Sequence, residues 1–178
     1  KWIFFCFLLL NLHLIAQKIS FAEPLKKDKA LSKFEIIGKF NNNILIYKNT
    51  SGDHHIDIYD NDMKLVTQKS IDFMPNRILD YDFIVFQNHF YLVYQFQKNK
   101  TVYCRYADFN PDGELIKQPI TLDSVNISFF ASNKIYNLSV SDDKKYFLIS
   151  KRFVSGKKIE LDRKSTRLNS SHQIISYA

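Results

Sequence analysis

The sequence predicts an all-β protein built from four-stranded antiparallel sheets, and three observations support this fold class. The chain has 178 residues, of which 15% are aromatic and only 4 are Gly and 4 Pro, and aromatic side chains pack well on half-buried strands. Short runs of apolar residues alternate with Asn-, Asp- and Gly-containing turns. A similar series of runs begins three times, near positions 44, 91 and 147.

The first set of strands is predicted between residues 34 and 73. Its members are residues 34–40, 44–48, 54–60 and 64–73. The turns between them are assigned to Asn41-Asn42, to residues 50–53 and to Asn61-Asp62, since Asn and Gly adopt positive φ at low cost. Pro75 then ends the set, because Pro cannot donate a hydrogen bond within a central strand.

The second and third sets follow the same plan. The predicted strands are residues 81–87, 90–97, 101–108 and 114–122, then 135–141, 145–151 and 158–161. Asn110-Pro111-Asp112-Gly113 is a strong turn signal, since Pro fixes φ and Gly adopts a left-handed conformation. Residues 123–133 are predicted to form an inserted loop or an extra edge strand.

The repeat length indicates how these sheets are arranged. Ile44 aligns with Tyr91, and Tyr91 with Phe147, so the second step is longer than the first. Residues 44–47 and 91–94 are almost continuously apolar, as in strands covered on both faces. Four strands in a repeat of about 40–50 residues are typical of a β-propeller blade. The sequence therefore predicts a partial β-propeller of about three blades, with a β-sandwich as the alternative.

Two outer hairpins resemble the β-propeller repeat superfamily, and specifically uncharacterised exported bacterial proteins with Tyr-rich blades. They are residues 56–65 (IDIYDNDMKL) and 106–115 (YADFNPDGEL), each with an Asp/Asn-rich turn between two strands. The sequence departs from better-known subfamilies, because its single Trp lies in the leader and it lacks a Trp-Asp repeat and kelch-type paired glycines. The resemblance implies an architecture and no activity.

Residues 1–33 are predicted to precede the β domain. Residues 1–22 have a basic start, an apolar core and small residues before Ala22, as in a secretory signal peptide. Cleavage is expected after Ala22, or alternatively after Ala16. A membrane anchor is less favoured, because a span needs about 20 apolar residues and Asn11 and His13 interrupt this run. Residues 23–33 are predicted to be a linker.

The C-terminal segment differs in character from the rest of the chain. Residues 162–178 (DRKSTRLNSSHQIISYA) resemble the translation of a sequencing-library adapter, with Gln173-Ile174 in the place of an index. We therefore expect residues 162–178 to be an artefactual tail and residues 34–161 to be an incomplete propeller domain, since closed propellers typically have about four to eight blades.

Charge and cysteine content narrow the function classes. The formal net charge is +7, but the leader and the tail supply most of it, and the charges between them alternate in sign. No concentrated basic stripe is present, so a nucleic-acid partner is not predicted. Cys6 lies in the leader, and Cys104 alone cannot form an intramolecular disulfide. Cys104 is predicted to be a small buried hydrophobe.

Two short polar segments contain residue types that can bind metal ions. In Asp53-His54-His55-Ile56-Asp57, His55 and Asp57 share a strand face, but a third ligand is missing, so a solvated hairpin strand is the preferred interpretation. Asp60-Asn61-Asp62 resembles the start of a calcium loop without its Gly and closing Glu, and is predicted to be a turn. No metal site and no cofactor are predicted.

Other polar patterns receive structural interpretations. Asp80 and Asp82 lie on one strand face about 7 Å apart and could act as an acid and a base, although turn formation is preferred. Basic pairs are interpreted as solvated hairpin ends; they are Lys144-Lys145, Lys151-Arg152 and Lys157-Lys158. Three glycan-acceptor patterns begin at Asn49, Asn126 and Asn137.

These observations predict an exported protein that is periplasmic, bound to the cell surface or extracellular, with no stable membrane span after signal cleavage. The leading hypothesis is a non-catalytic propeller that binds a protein or glycan partner, or serves as a scaffold, through the loops at one end. The alternative is an extracytoplasmic propeller enzyme, a hydrolase or lyase acting on glycans, with its site expected largely on blades missing from this sequence. A third is one domain of a larger surface assembly.

Overall fold

The computed structural model describes residues 19–21, 31–128, 130–131, 133–155, 158–167 and 174–177. The predicted signal peptide, residues 1–22, and the predicted linker, residues 23–33, therefore lie mostly outside the described residues. The part of the linker that is described, from Leu31 onward, belongs to the first strand rather than to a linker.

The described chain is all-β and forms three four-stranded antiparallel sheets, as the sequence predicts. Sheet 1 contains β1 (Leu31–Phe40), β2 (Asn43–Thr50), β3 (Asp53–Tyr59) and β4 (Leu65–Ser70). Sheet 2 contains β5 (Asp80–Val85), β6 (Phe90–Lys98), β7 (Thr101–Phe109) and β8 (Leu115–Asn126). Sheet 3 contains β9 (Tyr136–Val140), β10 (Tyr146–Ser155), β11 (Lys158–Arg167) and β12 (Ile174–Tyr177). Neighbours in the chain are neighbours in each sheet.

The predicted strands are all found, with differences at their ends. β4 ends at Ser70, before the predicted end at Phe73, and Ile71 instead enters the core. β8 continues to Asn126, so the first part of the predicted insertion is strand. β11 continues to Arg167, and β12 pairs with it, so the backbone of residues 162–167 and 174–177 completes sheet 3. That these residues are an artefactual tail stays a prediction.

The tight turns have the backbone conformations that the sequence indicates. Asn41 has a φ of 51° and Gly113 a φ of 71°, in the left-handed region that Asn and Gly tolerate best. The β3–β4 and β7–β8 turns are closed alike: Asp60 and Asn110 each accept backbone N–H bonds from the residues two and four positions ahead. The two outer hairpins therefore share one turn geometry.

Sheet 2 lies between the other two sheets and is buried on both faces. One face packs against sheet 1 in a first core, with Leu92 and Phe109 from sheet 2 meeting Leu45 and Ile58 from sheet 1. Its other face packs against sheet 3 in a second core. Burial on both faces explains why β6 is apolar at consecutive positions, since neighbouring side chains of a strand point to opposite faces.

The predicted alignment of Ile44 with Tyr91 is wrong by one position. Counted from the β3–β4 and β7–β8 turns, Tyr91 corresponds to Leu45, the next residue along. Counted from the β2–β3 and β6–β7 hairpins, Thr50 corresponds to Lys98. The two counts differ because the β6–β7 hairpin is longer by two residues in each strand. Since two is the side-chain period of a strand, both counts keep equivalent side chains on the same face of their sheets.

The predicted alignment of Tyr91 with Phe147 is also wrong by one position. Lys98 and Ser155 occupy equivalent places beside their hairpin turns. Counting back eight residues from each shows that Phe147 corresponds to Phe90 in the repeat. Accordingly Phe147 faces back toward sheet 2, whereas Tyr91 faces forward to sheet 3. An alignment error of one position is not visible in these sequences, because the strands are apolar on both faces and either alignment places apolar side chains in a core.

Candidate functional site

A buried ion pair lies on the face of sheet 1 opposite to sheet 2. Lys48 Nζ is 2.6 Å from Asp57 Oδ2 and 2.7 Å from the Tyr59 hydroxyl. Gln68 Nε2 donates to the other Asp57 oxygen at 2.7 Å. Burial disfavours the charge of Lys48, but its hydrogen bonds to Asp57 and Tyr59 raise its pKa overall. Both oxygens of this carboxylate therefore have protein partners.

The predicted metal-like cluster is distributed over both faces of this sheet. His55 and Asp57 share a face as predicted, with His55 Nε2 3.7 Å from Asp57 Oδ1. His54 points to the opposite face, where it is 4% exposed. The preferred interpretation, a solvated strand, is therefore wrong, because neighbouring residues bury both His54 and Asp57.

The partners of His54 fix its tautomer. Its Nε2 lies 3.0 Å from the carbonyl oxygen of Pro75, and its Nδ1 lies 2.7 Å from the Tyr47 hydroxyl. A carbonyl oxygen only accepts, so Nε2 carries the proton and Nδ1 accepts from Tyr47. Burial lowers the pKa of His54 and raises the pKa of Tyr47, which keeps the imidazole neutral and the phenol protonated. The pair joins sheet 1 to the connection before sheet 2.

No group of three or more His, Cys, Asp or Glu side chains in the described part of the chain is placed to hold a metal ion. Asp60-Asn61-Asp62 forms the predicted turn, in which Asp60 Oδ1 accepts from the N–H groups of Asp62 and Lys64 at 2.9 Å.

Three carboxylates lie on the first strands of sheets 1 and 2, and we call them the acidic cluster: Glu35 on the face of sheet 1 toward sheet 2, and Asp80 and Asp82 on the face of sheet 2 toward sheet 3. Glu35 pairs with Tyr47 in the ladder, and Asp80 and Asp82 pair with residues two positions apart on β6, so each carboxylate lies on the forward face of its sheet. β1 contacts β5 directly. Asp80 and Asp82 are confirmed on one face, but they lie within β5, so their interpretation as turn formers is wrong.

Two further side chains complete this region. The Tyr81 hydroxyl is hydrogen-bonded to Glu35, and Lys134 Nζ lies 3.1 Å from Asp80 Oδ2. Tyr81 packs on Tyr47, with ring centroids 4.7 Å apart. The acidic cluster is thus bordered by a phenol on one side and by an ammonium group on the other.

Within the acidic cluster, burial and neighbouring negative charges disfavour ionisation of Glu35 and Asp82. Burial raises the pKa of Glu35, and the charges of Asp82 and Asp80 raise it further. Burial also raises the pKa of Asp82, followed by the charge of Asp80, while Lys134 opposes the increase. The pKa of Tyr81 is raised to about 12, chiefly by burial. Ionisation of one carboxyl group in the acidic cluster therefore disfavours ionisation of the others.

A polar network joins sheets 2 and 3. Gln95 Oε1 accepts from the N–H groups of Ile135 and Tyr136 at 2.9 Å each, and Gln95 Nε2 donates to the Tyr136 carbonyl at 2.8 Å. Asp123 Oδ2 accepts from the Tyr136 hydroxyl at 3.0 Å and from Lys151 Nζ at 2.9 Å. The interpretation of Lys151 as a solvated hairpin end is wrong, since its side chain is 15% exposed.

A small cleft lies beside this network, lined among others by Asp82, Gln95, Cys104 and Asn137. It encloses about 10 Å³, the space that one water molecule requires. Cys104 is 2% exposed, which confirms the prediction of a buried hydrophobe. Burial, with smaller contributions from Asp123 and Asp82, raises the pKa of its thiol to about 12. Cys104 therefore lacks the thiolate character of a nucleophile.

The remaining predicted positions divide by exposure. Lys144 and Lys145 are exposed, as predicted for hairpin ends, whereas Lys157 lies outside the described residues. Asn126 and Asn137 are exposed. Asn49 is 9% exposed, and its Oδ1 accepts from the N–H of Gly52, so the first glycan-acceptor pattern is built into a turn.

Sequence reasoning missed Glu35, Lys134 and Gln95. Lys134 reaches Asp80, and Gln95 reaches the strand that begins sheet 3, so neither interaction has a local signal. The sequence did contain a signal for Glu35. When sheets 1 and 2 are aligned by the β2–β3 and β6–β7 hairpins, Glu35 corresponds to Asp80, and when they are aligned by the β3–β4 and β7–β8 turns it corresponds to Asp82.

Comparison with known protein families, with curated proteins and with solved structures finds no match to the chain. Among the described residues, no helix has the length and apolar character needed to cross a membrane.

Proposed function

We propose that the chain is an exported, non-catalytic binding or scaffold protein whose sheets are blades of a β-propeller. Sheet 2 carries this proposal, since it is buried on both faces by sheets of the same strand order. Sheets stacked in this way leave their turns at two ends, where propellers and other rigid scaffolds carry their binding residues. The partner is a protein or a glycan that contacts the turns at one end.

The chemistry of the buried polar groups supports binding over catalysis. Asp57 is fully engaged by Lys48 and Gln68, and His54 bridges Tyr47 and Pro75. The Cys104 thiol is protonated at neutral pH. These groups stabilise the sheets and their packing, which is the role expected of satisfied buried networks.

A single experiment separates binding from catalysis. The full chain, expressed with its leader, would be recovered from the exported fraction and titrated against defined polysaccharides and isolated envelope proteins. We expect saturable binding to one of them, with no new reducing or unsaturated sugar ends formed on prolonged incubation. Recovery of the chain in the cytoplasm only, or release of such ends, would contradict the proposal.

A second candidate function is a glycan hydrolase or lyase, and the acidic cluster favours it. A carboxyl group with a raised pKa can supply the acid of glycoside cleavage, and the pKa values of Glu35 and Asp82 are both raised. If sugar ends are released, Glu35→Gln and Asp82→Asn should each abolish the release. Asp142→Asn, which removes an exposed carboxylate, is the matched control and should leave it unchanged.

A further inference from the structure

A second group of side chains lies at the end of sheet 2 that carries the β5–β6 and β7–β8 turns. We call it the turn-end cluster: Phe86, His89, Tyr91, Tyr106 and Asp108. The Phe86 and His89 rings are stacked with centroids 4.6 Å apart, and the Tyr91 ring stands edge-on to His89 at 5.2 Å and to Tyr106 at 5.5 Å. Tyr91 is buried and the other four residues are half-buried.

The turn-end cluster breaks the repeat at core positions. Counted from the shared turn, Tyr91 and Asp108 pair with each other as Leu45 and Ile58 do in sheet 1. Leu45 and Ile58 are 0% and 4% exposed in the first core. Sheet 2 thus has a phenol and a carboxylate where packing alone requires two aliphatic groups. Such local departures from a consistent pattern are expected at functional sites.

The carboxylate at this position is incompletely satisfied. Asp108 Oδ1 is buried and forms no hydrogen bond with any residue that the structure describes. An ionised carboxylate only accepts, and a buried acceptor without a donor is costly. The oxygen therefore requires a donor that the described residues do not supply, and burial accordingly raises the pKa of Asp108.

The surroundings select the type of donor. Lys117 is the ladder partner of Asp108, and Lys144 reaches from sheet 3 to the same end, where its Nζ donates to the Val85 carbonyl at 3.2 Å. These two positive charges disfavour a cationic ligand. A neutral hydroxyl donor bears no such penalty, and the aromatic rings offer apolar contact to the ring that carries it.

We propose that the turn-end cluster is a sugar-binding site, in which a hydroxyl group of a pyranose ring donates to the half-buried Asp108 carboxylate and the apolar face of that ring packs against the half-buried aromatic groups. This inference rests on the proposed binding function and names the class of its ligand. The site lies at the end of the sheets where the turns gather, apart from the acidic cluster on the first strands.

The test uses the full chain and four disaccharides, built from glucose, galactose, mannose and N-acetylglucosamine, monitored by saturation-transfer NMR. We expect at least one to bind saturably. Asp108→Asn should weaken this binding about tenfold, because a neutral acceptor replaces a charged one, while the melting temperature stays equal or rises. Tyr106→Ala should weaken binding as well. Asp112→Asn, an exposed carboxylate on the adjacent turn, is the control and should bind as the wild type does.

The outcomes separate the site from the function. Sugar binding that survives both variants would overturn the site and leave the binding function intact. The same holds if no disaccharide binds but a polypeptide partner does, or if free lysine binds in a manner that depends on Asp108. Absence of binding to any saccharide or polypeptide would overturn both proposals. A lower melting temperature for Asp108→Asn would show that the carboxylate is structural, against the site.

Discussion

The two interfaces of the central sheet are built on different principles. Between sheets 1 and 2, aromatic rings dominate: Phe90 and Phe109 stack within sheet 2 at 5.0 Å, and Phe90 is tilted against Phe40 of sheet 1 at 5.6 Å. Between sheets 2 and 3, buried hydrogen bonds from Gln95 and Asp123 supplement the apolar contacts. Apolar packing is non-directional, whereas buried hydrogen bonds hold only at one position. The first interface therefore holds its two sheets together by apolar packing. The second interface does so as well, and its hydrogen bonds also fix the relative position of the two sheets.

The largest effect is expected from Phe90→Ala in the aromatic interface. Phe90 is fully buried, and truncating a buried Phe typically costs about 3–5 kcal/mol through lost transfer energy and a cavity. Urea unfolding followed by circular dichroism would measure the loss. The control is Phe130→Ala, since Phe130 is 67% exposed, and it should cost less than about 1 kcal/mol. Equal losses for the two variants would contradict the assignment of the first core.

Removal of Asp123 tests the polar interface. Asp123→Ala leaves the Lys151 ammonium group and the Tyr136 hydroxyl without this carboxylate, and breaking a buried ion pair costs about 3 kcal/mol. Replacing both partners, as Asp123→Leu with Lys151→Met, should restore most of the stability, because no buried charge is then stranded. If the double variant is as unstable as Asp123→Ala, the Asp123–Lys151 pair stabilises the fold by more than neutralising each other's buried charge.

Gln95→Leu measures alignment at the second interface, with a smaller cost. The substitution nearly preserves volume but strands the N–H groups of Ile135 and Tyr136 and one carbonyl, so we expect a loss of about 2 kcal/mol. In an interface of the first type, the same change would be neutral. Gln118→Leu on the exposed edge of sheet 2 is the control. The unfolding free energies of both variants, compared with wild type, decide the matter.

The contrast also explains what could be predicted from the sequence. Alternation and turn residues locate strands because both signals are local, as in the turn at Asn110 and the strand from Phe90 to Lys98. The repeat register could not be fixed, since apolar residues on both faces satisfy either register. The partners of Asp80 and Asp123 could not be predicted either. Those partners, Lys134 and Lys151, lie beyond sheet 2 in the chain, and single-chain periodicity does not specify how sheets stack.

The smallest effect concerns the two lateral edges of the first interface, where the pKa values of two carboxylates shift in opposite directions. At the first strands, burial and the acidic cluster raise the pKa of Glu35. At the last strands, the hydrogen bond from Lys69, whose Nζ is 3.1 Å from Glu114 Oε1, lowers the pKa of Glu114. Ionisation of Glu35 therefore destabilises the fold at the first edge, whereas ionisation of Glu114 stabilises the fold at the second.

The two edges should therefore respond oppositely to pH. The stability associated with Glu35 is present below its unfolded pKa of about 4.3 and is lost as the pH rises through the higher folded value, so Glu35→Gln should stabilise the fold at pH 7 and have no such effect at pH 4. Because Glu35 is only half-buried, we expect a gain of about 0.5 kcal/mol or less. For Glu114 the stability is present above the unfolded pKa and is lost as the pH falls, so Glu114→Gln should destabilise at pH 7 only. Melting temperatures at the two pH values measure both signs, and a common sign would show that the two edges of the interface do not differ in their electrostatics.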